Sequence, residues 1–363
     1  MPRVRIRLVC TIATFACALL AAGCGGSSHP RRTSPPARDQ APSAGRGGWV
    51  EVAGGGRTMT ARGQPYSFWV RRGSPKRLLL FFEGGGGCFD YRSCRPGTTW
   101  FDDSIGPDDD PNAAAGMLDL DDPANPVHGW TTVFVPSTTG DVHWGDARHT
   151  YRASGGRSVT IEHRGFVNGM TAVRWAFANT PAPTRVLVTG CSAGSIGSAA
   201  FAPYVIHRYP HARVAQLGDS LAFAWPRPSD LRDWDVARHW PHWIPAVRRL
   251  DQARFRMSDY YAAVARRYPH VTFAEINHAA DRVQTRYFAA LGGRPRAFPA
   301  ALFRSLRAIH RAAPNFRSIV VPGDGHCVLP TSAYNNETVD GVRVRNWVAD
   351  LVAGRPVREL GRR

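Results

Sequence analysis

An apolar run, a serine between two glycines and a series of small residues follow one another in RVLVTGCSAGSIGSAAFA, residues 185–202. Residues 185–189 have the composition of a strand buried on both faces of a sheet. GCSAG, residues 190–194, matches the G-x-S-x-G pattern of a sharp strand-to-helix turn, where glycines avoid steric clashes. The small residues 195–202 suit a helix packed tightly on that sheet. The sequence therefore predicts a nucleophile, Ser192, at this turn.

Similar apolar runs along the chain predict a mostly parallel sheet. Phe166, Met170, Val173 and Phe177 recur at helical spacing, which predicts a helix in residues 151–180. Alternating strands and helices favour an α/β fold of the α/β-hydrolase-like kind, with helices on both faces of the central sheet. The candidate strands are residues 77–82, 131–135, 185–189, 214–217, 271–276 and 318–321.

Residues 221–268, here called the Trp-rich segment, interrupt this alternation. They contain Trp225, Trp234, Trp240 and Trp243 with several prolines between them. Two interpretations have equal support. The segment is either an insertion that forms a lid or a substrate wall, or a pair of helices whose tryptophans fill the core.

Candidate partners for the serine follow it in the chain. A serine hydroxyl is a weak nucleophile and needs a base, which in turn needs an acid to orient it. In this fold class the acid and then the histidine follow the serine, each after a strand. Asp281 lies in the loop after residues 271–276, and His326 lies in the glycine-rich loop after residues 318–321. We therefore predict a triad of Ser192, Asp281 and His326.

Two other acids compete with Asp281 for this role. Asp219 follows the strand after the serine turn, which is the position of the acid in some hydrolases. Asp324 is two residues from His326. Since triads are recognised by geometry, the choice stays open at this point, with Asp281 first and Asp219 second.

A glycine run predicts the groups that would stabilise a developing oxyanion. EGGGG, residues 83–87, follows the candidate strand at residues 77–82. Glycines allow bare N–H groups to converge on one point, and we assign the amides of Gly85 and Gly86, together with that of Ala193. A phosphate-binding loop is excluded because the spacing of its motifs is missing.

Four of these stretches together resemble the pectin acetylesterase family. The resemblance rests on FFEGGGGC (residues 81–88), GCSAG (190–194), NHAADRVQ (277–284) and GHC (325–327), and it spans roughly residues 76–350. It implies an α/β-hydrolase fold, cofactor-free hydrolysis of carboxylic esters, and the triad Ser192, Asp281 and His326.

The resemblance also suggests a substrate, an acetylated polysaccharide. Two alternatives remain: a lipid or fatty-acyl esterase, and a non-catalytic envelope lipoprotein that binds glycans. The formal charge of +18 is scattered and comes with no nucleic-acid motif, so we expect no nucleic-acid partner. We interpret this positive charge mainly as that of a solvated surface.

The first residues predict export. Three arginines precede a short apolar run that ends in LAAGC, which resembles a bacterial lipoprotein signal of residues 1–23 with lipid on Cys24. An ordinary secretory peptide is the alternative. Residues 24–47 are rich in proline, glycine and serine and predict a disordered tether, so that the catalytic domain covers residues 48–363. The predicted partner at this end is the membrane, through the lipid anchor.

Four cysteines remain after the predicted signal and Cys24, and an even number in an exported domain favours disulfides. Cys88 and Cys94 are close in sequence. If Ser192 and His326 meet, their neighbours Cys191 and Cys327 come within bonding range. We therefore predict the pairs Cys88–Cys94 and Cys191–Cys327.

We expect no metal site. Asp141, His143, Asp146 and His149 are close in sequence but match no ligand spacing, so their loop is predicted to line the substrate cleft. The acidic residues between positions 108 and 122 lack the pattern of a calcium loop and predict a solvated loop.

Overall fold

The computed structural model describes residues 48–220 and 225–361, and a mixed sheet of eight strands lies at its centre. Two small hairpins, β5–β6 and β11–β12, lie outside that sheet. The strands of the described residues are β1 (Trp49–Ala53), β2 (Ser67–Arg71), β3 (Ser74–Phe82), β4 (Trp130–Val135), β5 (Ala147–Arg152), β6 (Ser158–His163), β7 (Arg185–Cys191), β8 (Arg213–Asp219), β9 (Thr272–His278), β10 (Phe316–Val321), β11 (Thr338–Val339) and β12 (Val342–Arg343).

The strand order in the large sheet is β1-β2-β4-β3-β7-β8-β9-β10. The six strands from β4 to β10 in this order run parallel to one another, while β2 is antiparallel to both of its neighbours. The carboxyl ends of β3, β7, β8, β9 and β10 therefore meet at one edge of the sheet. Ligand sites of open α/β sheets lie at such an edge.

Helices cover both faces of the sheet. On one face, α2, α3, α6 and α8 pack in one apolar core, and on the other α9 and α10 pack in a second. The helices of the described residues are α1 (Tyr91–Cys94), α2 (Gly165–Asn179), α3 (Ala193–Arg208), α4 (Pro228–Asp233), α5 (Pro245–Arg248), α6 (Met257–Arg267), α7 (Arg282–Ala290), α8 (Phe298–Ala312), α9 (Ala333–Asn336) and α10 (Val344–Ala353).

Strand β3 shows why the central strands are apolar throughout. Leu78 and Leu80 point into the first core, whereas Leu79 and Phe81 point into the second. Side chains of a strand alternate between faces, so a strand covered on both sides needs an unbroken apolar run. This is an α/β-hydrolase-like fold, as the sequence predicts.

The six predicted strands are the six parallel strands, with bounds that differ by up to three residues. The edge strand β1 and its neighbour β2 were not predicted. The helical assignment of residues 151–180 was wrong at its start, because the β5–β6 hairpin extends to His163 and the helix covers only Gly165–Asn179. Strand β5 is polar and largely exposed, so its alternation carries little apolar signal.

The Trp-rich segment forms short helices, α4 to α6, joined by turns. Trp234 and Trp240 are buried in the first core, and Trp225 is buried where that core reaches the carboxyl edge of the sheet. Residues 221–224 at its start lie outside the described residues, as do the predicted signal, Cys24 and the tether. No helix in the described ranges is both long and apolar enough to cross a bilayer.

The turn between β7 and α3 depends on close backbone packing. A Cβ atom at Gly194 would overlap the carbonyl oxygen of Phe82 at the end of β3. A Cβ atom at Gly190 would overlap the backbone of Gly194 and Phe82. Only glycine lets α3 start this close to the neighbouring strand.

Replacing Gly194 by alanine should therefore destabilise the protein. Forcing a methyl group into a close-packed backbone costs about 1–3 kcal/mol, which urea unfolding measures. Gly155 in the β5–β6 turn is the matched control, since a Cβ there meets nothing within 4 Å. Gly155→Ala should stay within about 0.5 kcal/mol of the wild type. Equal stability of the two variants would contradict the packing argument.

Candidate active site

Every predicted catalytic residue lies at the carboxyl edge of the sheet. Residues 84–87 follow β3, Ser192 follows β7, and Asp219 is the last residue of β8. Asp281 follows β9 and His326 follows β10. Neighbouring parallel strands thus bring together residues that are up to 242 positions apart in sequence.

Ser192 occupies the tight turn that the sequence predicts. Its backbone has φ 56° and ψ −118°, in the positive-φ region that L residues rarely adopt. Its N–H donates to the carbonyl of Asp219 at 2.7 Å, which ties the turn to β8. Helix α3 starts at the next residue, so the positive end of its dipole faces the serine.

His326 is oriented by Asp281. The imidazole Nδ1 lies 2.8 Å from Asp281 Oδ2, and the carboxylate is fully buried. Asp281 also caps α7, accepting hydrogen bonds from the backbone N–H of Gln284 at 2.9 Å and from its side-chain amide at 3.0 Å. Burial acts to raise the pKa of Asp281, but the bond to His326 and these donors outweigh it and lower that pKa. The acid is therefore charged beside the imidazole.

Asp219, the first rival acid, has a different partner. Its Oδ2 accepts the backbone N–H groups of Val328 at 2.6 Å and Leu329 at 2.7 Å, and Ser220 donates to its other oxygen at 3.2 Å. Burial raises its pKa to about 6, against these hydrogen bonds. Asp219 thus holds the backbone just after His326 rather than the imidazole.

Asp324, the second rival, is exposed at the surface. Its carboxylate lies 3.9 Å from the guanidinium of Arg282, and its side chain is 70% accessible. A pair this exposed contributes little to stability.

The predicted oxyanion donors are three backbone N–H groups without acceptors. Among the described residues, the amides of Gly85, Gly86 and Ala193 donate to no acceptor. The next amide, that of Gly87, is by contrast bonded to Trp100 at 3.0 Å and to the Tyr287 hydroxyl at 3.2 Å. Unpaired amides beside a nucleophile are what a developing oxyanion needs.

Two cavities meet at Ser192 and His326. The inner one has a volume of about 20 Å³, room for one water-sized group, and is walled by apolar side chains that include Val142, Ile196 and Trp225. The outer one is an open cleft of about 550 Å³. Its rim is formed by residues 98–102 and by α7.

The two disulfides of the described residues flank this site. Cys88 is bonded to Cys94 and Cys191 to Cys327, which are the pairs that the sequence predicts. The second bond joins the residue before Ser192 to the residue after His326. It therefore fixes the turn of the serine to the loop of the histidine.

The loop that contains Asp141 and His143 contacts the backbone next to the glycine run. The buried Asp141 accepts from Thr139 at 2.8 Å and from the N–H of Gly165 at 2.8 Å. His143 is hydrogen bonded to the carbonyl of Glu83 at 2.8 Å, next to the glycine run. Burial lowers the pKa of His143 to about 4, so it is neutral near pH 7.

The other two residues of the loop lie further from the site. Asp146 is paired with Arg57 and Arg164, at 2.6 and 2.7 Å. His149 lies 3.9 Å from Asp233. Of the whole loop, Val142 lines the inner cavity.

Sequence reasoning assigned no role to Gln284, Trp225 or Tyr287. The spacing Asp281-x-x-Gln284 is that of a helix start in which the third residue contacts the capping acid, and this signal could have found Gln284. The positions of Trp225 and Tyr287 depend on contacts with residues 87 and 100, far away in the chain. No local pattern encodes such contacts.

Comparisons with known proteins concern the family and the fold of the chain. Residues 59–239 match the model of a family described as Pectinacetylesterase. The chain is similar in structure to the Wnt deacylase Notum from Drosophila, with a TM-score of 0.57 and 17% sequence identity, over 83% of this chain and 92% of that one. At this identity the similarity shows the fold. No curated protein sequence matches.

Removing the Cys191–Cys327 disulfide should cost more stability than removing Cys88–Cys94. The first bond closes a loop of 136 residues and the second a loop of 6. Loop-closure entropy grows with loop length, so Cys191→Ser with Cys327→Ser should lower the unfolding free energy by about 2–5 kcal/mol. Cys88→Ser with Cys94→Ser is the control in the same urea titration. A larger loss in the control pair would contradict this explanation.

Proposed function

This chain belongs to the pectinacetylesterase family and hydrolyses carboxylic ester bonds, and from that premise we propose that Ser192, His326 and Asp281 carry the reaction. The observation that supports this most is the 2.8 Å contact between His326 and the buried Asp281 at a cavity that His326 shares with Ser192. His326 Nδ1 is committed to the carboxylate. This leaves Nε2 as the nitrogen for proton transfer.

The proposed reaction is acyl transfer in two steps. His326 takes the proton of the Ser192 hydroxyl as the oxygen attacks the ester carbonyl, and it then protonates the departing alcohol. Water attacks the resulting acyl-enzyme with the same histidine as base, which releases the acid and restores Ser192. Asp281 stabilises the imidazolium that forms in each step.

The amides of Gly85, Gly86 and Ala193 are proposed to bind the negative oxygen of each tetrahedral intermediate. They have no acceptor among the described residues, so they lose no protein hydrogen bond when the oxyanion forms. Removing one such donor in another hydrolase costs about 3–4 kcal/mol of transition-state stabilisation. A glycan-binding lipoprotein without activity, the alternative of another class, has no use for these donors beside an oriented histidine.

For the substrate we propose a short acyl ester, an acetyl group, on a polysaccharide. The inner cavity of about 20 Å³ has room for little more than a methyl group, which argues against a fatty-acyl chain. The outer cleft is wide enough for sugar rings. At its rim the guanidinium of Arg286 lies 4.0 Å from the ring centre of Trp100 and donates to Thr99 at 3.1 Å.

Two disulfides are typical of an exported protein. Export to the cell envelope is therefore part of the proposal. The signal at residues 1–23 and the lipid anchor at Cys24 stay predictions from the sequence.

The triad is tested by comparing variants of two aspartates in the hydrolysis of nitrophenyl acetate. Ser192→Ala should abolish hydrolysis, and Asp281→Asn should lower kcat by about 10³- to 10⁴-fold, because the amide no longer fixes the imidazole tautomer. Asp219→Asn is the matched control. It should stay within about tenfold of the wild type, since it weakens one backbone hydrogen-bond pair worth about 1.5 kcal/mol. If the two losses were reversed, Asp219 would be the triad acid.

The polysaccharide substrate is tested at the rim of the outer cleft. Trp100→Ala should raise KM for acetate release from acetylated pectin or xylan by about two- to tenfold, the worth of one ring-stacking contact. It should leave kcat/KM on nitrophenyl acetate unchanged. Trp175→Ala is the control, because Trp175 also carries an arginine over its ring, at 5.3 Å, but lies on α2 away from the cleft. An equal effect on both substrates would contradict a polymer site at the rim.

A further inference from the structure

The indole ring of Trp225 forms part of the wall of the inner cavity. We propose that Trp225 sets the length of the acyl group that this enzyme accepts, by closing the cavity one methyl group beyond the ester carbonyl. This inference rests on the proposed function, since it assigns the inner cavity to the acyl group.

The ring of Trp225 lies directly on the oxyanion loop. A Cβ atom at Gly87 would overlap the edge of the indole, so a glycine at position 87 is what permits the ring to lie there. The indole also stacks on the ring of Tyr287, with centroids 5.5 Å apart and planes 24° apart. The ring thus contacts both the oxyanion loop and α7.

A buried hydrogen bond fixes the indole in this position. Its Nε1 donates to Asp230 Oδ2 at 2.8 Å, and Asp230 is only 1% accessible. Arg227 holds the same carboxylate, with its backbone N–H at 2.8 Å and its guanidinium at 2.7 Å. A rotation of the ring would break this bond and leave the buried indole N–H without its acceptor, which is unfavourable.

Aromatic neighbours restrain the ring further. Phe89 and Trp234 meet it edge-on, with centroids 5.9 and 5.3 Å away. The guanidinium of Arg227 lies 4.9 Å from the centre of the Phe89 ring, so the same arginine contacts both Asp230 and Phe89. Trp225 is therefore a rigid wall rather than a side chain that yields to a longer acyl group.

As a consequence, kcat/KM should depend steeply on the length of the acyl chain. A chain longer than acetyl would have to displace a ring held by one hydrogen bond and three aromatic contacts. Even one misplaced methylene in an apolar pocket costs about 10- to 200-fold in kcat/KM. The wild type should therefore hydrolyse nitrophenyl acetate at least tenfold more efficiently than the butyrate.

The test is a chain-length series on nitrophenyl acetate, butyrate and octanoate. Trp225→Ala should raise the ratio of kcat/KM for butyrate over acetate by at least about tenfold, because the methylenes enter the vacated space. Trp225→Phe keeps an apolar ring that supports folding and should give a smaller shift in the same direction. Trp240→Ala is the matched control: this tryptophan is equally buried in the same segment, but it packs on Phe255 and does not line the cavity.

The outcomes separate this inference from the proposed function. An unchanged ratio in active Trp225→Ala or Trp225→Phe, or a wild type that prefers butyrate, would overturn the role of Trp225 and leave the triad standing. A shift of the same size in Trp240→Ala would also overturn it, because the effect would then be a general loosening of the core. A wild type without activity on any of the three esters would overturn the triad itself.

Discussion

Five neighbouring parallel strands end at one edge of the sheet, and each group proposed for the chemistry depends on that constraint. The oxyanion loop follows β3 and the serine follows β7. The rival acid Asp219 is the last residue of β8, and the acid and the histidine follow β9 and β10. The glycines at 190 and 194 let α3 start against the end of β3, which places Ser192 beside the oxyanion loop. The chemistry therefore depends on backbone packing before it depends on any side chain.

Two buried aspartates near His326 have different environments, and this separates their roles. Asp281 is bonded to the imidazole, and its pKa is lowered despite burial, so it is an anion over the whole neutral range. Asp219 faces backbone N–H groups, and burial raises its pKa to about 6. In the proposed triad, Asp281 therefore supplies the charge that stabilises an imidazolium, while Asp219 and the Cys191–Cys327 bond hold the histidine loop in place.

Local patterns predicted the parallel sheet and the five strand ends well. Apolar runs mark strands buried on both faces, and the G-x-S-x-G turn specifies its own backbone geometry, so β3, β7 and the position of Ser192 follow from a few residues each. The same reasoning missed β1, β2 and the β5–β6 hairpin. Strands β1 and β5 alternate between more and less exposed residues and resemble loops, whereas β2 is a buried run of only 5 residues. It also left the choice between Asp219 and Asp281 open, since only the folded chain decides which carboxylate reaches the imidazole.

The wall formed by Trp225 depends on Gly87, Tyr287 and Asp230 together, and no stretch of sequence contains all of these contacts.

The central claim is that His326, oriented by Asp281, activates Ser192. Peptide mapping by mass spectrometry after treatment with a fluorophosphonate measures this directly, because the reagent reacts with an activated serine without needing the natural substrate. The wild type is expected to carry one adduct, on Ser192, and His326→Ala is expected to carry none under the same conditions. An adduct on another residue, or equal labelling of Ser192 in both proteins, would contradict it.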